Sequence, residues 1–433
     1  MTAIELLASL NTPKTDDLFF SLYGRDETEA ARLRYRSLFE DPLLKGDLRV
    51  FSIPGRTELG GNHTDHNNGK VLAASIHLDI VAVVASRKDK KIFLRSSGHR
   101  DASIDLKNLA PKEEEKGKTE ALIRGVAAEF AAQGTEIGGL TIIADSLVMP
   151  GSGLSSSAVV EIMLARIFDS YFGEGKRNSL ELAILGQRAE NLYFGKPCGL
   201  MDQIACANGG GVYIDFADSE NPQVQSIDFD PAASGMALCI VDSLGSHSDL
   251  TTDYASIPGD MKAVASFFKK NVLREVDEEL FRSSFGELRK KTGDRAIQRA
   301  LHFFNENRRV DAMFEGLKKN NIALFLELVN ESGSSSMQLL QNIHSGNNPK
   351  QQSLCLALSL TSDFLNLGGG KTAGACRVHG GGFAGTIQAY IPGNRIEEYR
   401  NLMEGIFGEG TMTVLNIRPF GPVEIILKEL TDK

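Results

Sequence analysis

The sequence predicts an α+β protein of two domains, and three observations lead there. The chain has 433 residues, more than one hydrophobic core ordinarily supports. Strand-like and helix-like segments alternate irregularly in the first half, which speaks against a doubly wound parallel sheet. From 261 to 367 helical patterns dominate, and strands return only afterwards.

Taken in order, 48–53 reads as a strand that stops at Pro54-Gly55. The apolar run Ile80-Val81-Ala82-Val83-Val84-Ala85 reads as a buried strand, within 76–85. The charged stretch 111–118 reads as a solvated loop or helix start. A strand is expected at 140–144. A helix follows, with Val159, Val160, Met163, Leu164, Ile167, Phe168 and Tyr171 on one face. A second helix over 180–194 is closed by Gly195. Strands are expected at 211–216, 236–242, 386–392, 413–419 and 423–427, and a polar loop at 345–352 interrupts the helices. Asp, Pro and Gln accumulate over 216–231, so the domains are placed at 1–220 and 221–433.

Composition narrows the function. A net charge of −9 with no long basic tract argues against a nucleic-acid protein. Anionic small ligands stay open, because backbone amides bind phosphate whatever the net charge. Residues 1–20 lack the basic lead and apolar core of a secretory signal, and no apolar run reaches membrane-spanning length. The five cysteines (Cys198, Cys206, Cys239, Cys355, Cys376) are scattered, without a C-x-x-C pair. They read as reduced thiols of a cytoplasmic protein.

Three segments carry chemistry. The first is Gly151-Ser152-Gly153-Leu154-Ser155-Ser156-Ser157, between a strand and an amphipathic helix. Glycines let successive N–H groups converge at a helix start, and serine hydroxyls add donors to phosphate or a ligand for Mg2+. An ordinary glycine turn with serine caps is the alternative. Gly117-Lys118-Thr119 and Gly370-Lys371-Thr372 imitate the tail of a Walker A loop, but its first glycine would fall on Lys112 or Leu365.

The second segment runs from Pro54-Gly55-Arg56 through Glu58, Gly60, Gly61, Asn62, His63, Asp65, His66 and Asn68 to Gly69. It puts on one glycine-broken loop the donors and acceptors a polyol needs, and a fixed cation for a phosphoryl group. A polar surface turn, or a metal held by His63, Asp65 and His66, are its alternatives. The third is Pro197-Cys198-Gly199-Leu200-Met201-Asp202-Gln203, where Asp202 alone reads as a helix cap or dipole partner. Near the C-terminus the glycines of 374–385 allow close backbone approach or tight packing.

Together these segments resemble the GHMP kinases, and among them the galactokinases most closely. PGR-x-x-LGG-x-HTD-x-N-x-G resembles the sugar signature, GSGLSSSA the phosphate loop, AEN with PCG-x-MDQ the catalytic stretch, and GGGFAG the C-terminal glycine motif. The resemblance implies an N-terminal domain like ribosomal protein S5 domain 2, a ferredoxin-like C-terminal domain, and an active site between them. It implies ATP and Mg2+ as cofactors and phosphorylation of the anomeric hydroxyl of galactose; a monomer is expected, with an oligomer left open.

The resemblance also implies roles. Asp202 would face the anomeric hydroxyl, and Arg56 would neutralise the transferred phosphoryl. Residues 151–157 would bind ATP, with Ser157 and Glu190 on the metal and Ser156 as second choice. Asn62, His63, Asp65, Gly199 and Tyr254 would contact the sugar, and Gly381 and Gly382 would support the nucleotide side. The pattern departs where the family usually has other residues: Asn62 for glutamate, Glu58 for asparagine, His66 for tyrosine, His379 for threonine and Ala384 for glycine. Those changes leave open a related sugar (an amino sugar, pentose or uronic acid) or a regulator that binds sugar and ATP without turnover.

Overall fold

The computed structural model describes residues 1–24, 27–148, 153–196, 198–245, 250–367 and 374–426. Among them two sheets organise the chain. The larger, eight-stranded, is built on β1 (Leu48–Gly60) and β2 (Lys70–Arg87), an antiparallel pair. Outward from β2 follow β5 (Gly139–Ser146), β3 (Lys91–Ser96) and β4 (Ala102–Asp105). The start of β2 also pairs with β6 (Gly211–Asp215), and β6 with β7 (Gln223–Ile227).

The apolar run of β2 sorts its side chains to two cores. Ile80, Ala82 and Val84 point into the main core, beneath helices α4 (Thr119–Ala132), α5 (Ser156–Phe172), α6 (Ser179–Ala189) and α7 (Met201–Asn208). Val81, Val83 and Ala85 point the other way, under α1 (Ala3–Ser9), α2 (Pro13–Tyr23) and α3 (Thr28–Phe39). A strand covered on both faces has no polar side to show, hence an unbroken apolar run.

The strand expected to stop at Pro54-Gly55 continues to Gly60. A register shift opposite Pro54 and Arg56 loops out residues 76–78 of β2, so the ladder is interrupted immediately beside the proline. Gly55 fits because a Cβ would come within 2.9 Å of the Val148 side chain. The looped residues are sewn to the chain's end: His77 N–H donates to Asn416 O at 2.9 Å, and Arg418 N–H to Ser75 O at 3.0 Å.

The smaller sheet, four-stranded and antiparallel, runs β11 (Met412–Leu415), β8 (Met236–Asp242), β10 (Thr386–Pro392), β9 (Ala375–Val378). Helices α13 (Ser353–Asn366) and α14 (Ile396–Phe407) cover one of its faces. Helix α11 (Asp294–Lys318) packs on the larger sheet and α12 (Ile322–Ser335) on β9 of the smaller, and α8 (Thr251–Phe267), α9 (Glu278–Ser283) and α10 (Phe285–Thr292) gather on the outer side of α11. The α+β class stands. The division at 220/221 falls between β6 and β7, which are paired neighbours, and β12 (Val423–Ile425) returns to pair with β1. The larger sheet therefore draws on both stretches of chain.

A buried polar knot anchors the N-terminal helices. Asp79, fully buried, accepts from Tyr23 Oη at 2.8 Å, Arg34 Nη1 at 2.6 Å and Arg418 Nη1 at 3.5 Å, and also from Ser52. Taking away this carboxylate leaves the fully buried Arg418 without an acid and Arg34 with Asp145 alone, so Asp79→Ala is expected to cost about 3–5 kcal/mol. Denaturant unfolding of the purified protein measures it, and a loss below about 1 kcal/mol would contradict the role given to this knot.

Candidate active site

The phosphate loop, β1 and α7 meet at Arg56. Its side chain, 5% exposed, projects from β1 just past the bulge. Arg56 Nε donates to Asp202 Oδ1 at 2.8 Å, and its two terminal nitrogens donate to Gly153 O and Ser155 Oγ. Ser155 Oγ in turn donates to Asp202 Oδ2, which closes the ring. Burial alone would raise the Asp202 carboxyl, but the charge and hydrogen bond of Arg56, with the bond from Ser155, hold it below the usual carboxylate range. Asp202 lies in the first turn of α7, as expected, and is tied to a cation there as well.

The described part of the phosphate loop has the form a cradle requires. Gly153 has φ +72° and Ser155 φ +60°, and α5 starts at Ser156 with Leu154 buried below. Gly151 and Ser152 lie outside the described residues, as do Gly370, Lys371 and Thr372. Ser157 Oγ donates to Glu190 Oε1 at 2.9 Å. Glu190 opens a π-helical turn, Glu190–Phe194, where a continuous helix was expected, and Gly195 ends it at φ +82°. The two oxygens of Ser157 and Glu190 suit a hard divalent cation, which takes few protein ligands beside phosphate and water. Lys196 Nζ stands 3.4 Å from Glu190 Oε1.

The sugar segment faces the same place from below. Asp65 Oδ1 accepts from His66 N at 2.9 Å, and Oδ2 lies so near Gly199 that a Cβ there would be 2.1 Å away. Asp65, Gly199 and Asp202 thus share one neighbourhood. Asn62, His63 and Tyr254 go elsewhere: they hold the carbonyls of the glycine loop. Asn62 Nδ2 donates to Gly380 O at 2.7 Å, His63 Nε2 to Gly381 O at 2.9 Å, and Tyr254 Oη to Gly382 O at 3.0 Å. Asn62 is 1% exposed, bonds Glu58 through Nδ2 at 3.2 Å, and accepts from Asn342 at 2.8 Å. With His63 on a carbonyl, the three-ligand metal reading of His63, Asp65 and His66 has no support. Among the described residues no group of three or more His, Cys, Asp or Glu could hold a metal.

His379 joins the two groups. Its Nε2 meets Thr57 Oγ1 and its Nδ1 meets Thr386 Oγ1, each at 3.1 Å, and a Cβ on Gly153 would lie 2.8 Å from the ring. Burial first, then the charges of Arg56 and Arg377, push this histidine well below its ordinary value, so it packs as a neutral ring.

The comparisons with known proteins can be set on this geometry. Residues 34–86 match the galactokinase galactose-binding signature, and 121–210 match the GHMP kinases N-terminal domain. A galactokinase of Glaesserella parasuis serovar 5 is 30% identical over 353 residues, covering 81% of this chain and 87% of that one. The chain belongs to the galactokinase family. A galactokinase of Mannheimia succiniciproducens is 29% identical over 359 residues, covering 82% and 88%. Among solved structures, Lactococcus lactis galactokinase complexed with galactose superposes with a TM-score of 0.74 at 22% identity, over 92% of this chain and 99% of that one. A mevalonate kinase superposes at 0.60 with 14% identity, over 85% and 98%. The GHMP kinase fold implied by the motifs is therefore the fold of this chain.

The galactokinase-family site has a support that sequence reading missed. On α11, His302 Nε2 donates to Asn62 O at 2.9 Å, Glu306 Oε1 accepts from Gly61 N at 3.1 Å, and Asn307 Oδ1 accepts from Lys70 N at 2.8 Å. His302 and Glu306, four residues apart, lie on one helix face, and Asn307 stands at the next position round the helix. A buried acid and base amid apolar positions was the signal available. Burial opposes the charge of Glu306, but His302, Arg309, Arg377 and the Ser332 hydroxyl hold its pKa at about 2, against an ordinary 4.5. A depressed carboxyl stabilises the fold fully above its unfolded value and loses that contribution as pH falls through the folded one. Stability is therefore expected to fall between about pH 4.5 and 2, with the fall reduced in Glu306→Gln. Denaturant midpoints against pH measure this; identical profiles for the two proteins would exclude Glu306.

Proposed function

We propose that the chain is an ATP-dependent galactose kinase that transfers the γ-phosphoryl group to the anomeric hydroxyl, giving galactose 1-phosphate and ADP. One observation carries the chemistry: Arg56 reaches Asp202 and the phosphate loop at once. The galactose-binding signature over 34–86 and the galactokinase relatives carry the substrate. Asn62, whose identity had left the sugar open, spends its carboxamide on Glu58, Gly380 and Asn342. With Arg56, Asp202, Ser157 and Glu190 all assembled, nothing favours a regulator without turnover.

In this reading the anomeric oxygen attacks the γ-phosphorus as the bond to the bridging β–γ oxygen breaks. Alignment and charge neutralisation supply most of the catalysis. Asp202, kept anionic by Arg56, orients the hydroxyl and takes its proton as the new O–P bond forms. Arg56 offers fixed positive charge to the transferred group. Mg2+ with the nucleotide would neutralise phosphate charge, and Ser157 and Glu190 are the residues to hold it. Asp65, beside Gly199, is placed to accept from sugar hydroxyls, while Asn62, His63 and Tyr254 act by fixing the glycine loop. All these groups come from one chain, so a monomer suffices. The unpaired cysteines fit the cytoplasm. Among the described residues no helix is long and apolar enough to cross a membrane.

Galactose-dependent ADP release, set against a panel of other sugars, tests the substrate, with galactose expected to lead. Asp202→Asn and Arg56→Ala are each expected to lower kcat by about 10²–10⁴-fold. Near wild-type turnover in Asp202→Asn would remove Asp202 from the chemistry.

A further inference from the structure

Behind Glu190 lies a second buried acid that the mechanism does not use. Glu161 sits on α5, fully buried, and accepts from Gln203 Nε2 at 2.9 Å. The same nitrogen donates to Glu190 Oε2 at 3.1 Å, and Cys198 Sγ lies farther off at 3.7 Å. A carboxamide has two N–H donors, so these two carboxyl groups exhaust it. Glu161 Oε1 and Gln203 Oε1 are then left buried, and among the described residues neither has a partner.

Two orphan acceptors in one buried pair cost free energy as they stand, since each has lost water and gained nothing. A proton on Glu161 Oε1 changes the account. The carboxylic acid donates to the amide oxygen while its other oxygen accepts from the amide N–H, a two-point ring that satisfies both. A neighbouring residue leaves room for it: on α6, a Cβ at Gly186 would stand 3.0 Å from Glu161 Cβ and 3.5 Å from Gln203 Cγ.

We propose that Glu161 is a positioning residue, a neutral acid paired in a two-point ring with Gln203, which turns the second Gln203 N–H onto Glu190. Glu190 Oε1 is thereby left to face Ser157 and the nucleotide-bound cation. The proposal rests on the kinase reading for what Glu190 does, but not for the state of Glu161. Burial first and the negative charge of Glu190 second push the Glu161 carboxyl well above its ordinary value, which agrees with the ring.

The infrared difference spectrum of wild type minus Glu161→Gln at neutral pH tests the acid directly and needs no substrate. It should contain the carbonyl stretch of a protonated carboxyl group, and its absence overturns the proposal. Mn2+–ATP binding, followed by electron paramagnetic resonance, tests the positioning. Glu161→Gln, which keeps a donor toward Gln203, should bind within about threefold of wild type, and Glu161→Leu about tenfold or more weakly. Gln203→Leu cuts the same chain from its other end and should match Glu161→Leu, which covers the case where one variant fails to fold. Wild-type binding by the leucine variants, or equal weakening in Glu161→Gln, overturns the idea. Failure of the kinase reading would show separately, as wild-type protein without galactose-dependent turnover.

Discussion

Everything at the active site hangs on the buried bond between Arg56 and Asp202. The two residues lie 146 positions apart, and the Gly153 carbonyl that Arg56 also takes is 97 positions from it. One guanidinium thus fastens a strand, the phosphate loop and the start of a helix. Burying either charge alone would cost several kcal/mol, so the pair forms together or not at all. The bond also sets the chemical state of the site: Asp202 stays anionic although burial favours its neutral form. The bulge that lets β1 pass Pro54 and Gly55 is what delivers Arg56 to this point, so a strand irregularity places the reacting charge.

A second constraint is the close approach of glycine backbone to neighbouring rings and carbonyls. The Gly153 turn packs on His379, Gly381 lies under the Tyr254 ring, and a Cβ on Gly382 would lie 2.1 Å from Asn342 O. Side chains then bond the carbonyls of Gly380, Gly381 and Gly382. Beneath them a buried ion pair joins Glu58 on the larger sheet to Arg377 on the smaller one. Helix α11 fixes the sugar loop from outside through His302, Glu306 and Asn307. The sugar segment is consequently held from both halves of the chain, and neither half could shape it alone.

Sequence reading reached the motifs because each has a local cause. Glycine and serine before an amphipathic helix state a cradle, and the period of the β2 run states a buried strand. It missed the three N-terminal helices, α4 and α14, and the strands β3, β4, β7 and β9, whose signals are short or shared with polar surface. It ended β1 at Pro54-Gly55 because the compensating bulge lies in β2, more than a dozen residues on, where nothing local announces it. At the site it grouped Arg56, Ser157, Glu190 and Asp202, which the structure links through Ser155 and Gln203. It could not tell which polar residues face a ligand and which face the protein. Asn62 and His63 have the chemistry of sugar contacts, yet their partners are carbonyls more than three hundred residues away, visible only once the chain is folded.

Three acids occupy this small volume, and the protein treats each differently. Asp202 has a permanent cation. Glu161 has a carboxamide and, in our reading, a proton. Glu190 has neutral donors from Ser157 and Gln203, with Lys196 reaching it only from a half-solvated position. Of the three, Glu190 is the one that takes a hydrogen bond from Ser157 at the start of α5 and a second from Gln203. In the proposed mechanism this is the point at which a cation brought by the nucleotide would be held. Asp202 and Arg56 are by then already paired, so the sugar hydroxyl meets a charge pattern that needs little rearrangement when the phosphoryl group moves.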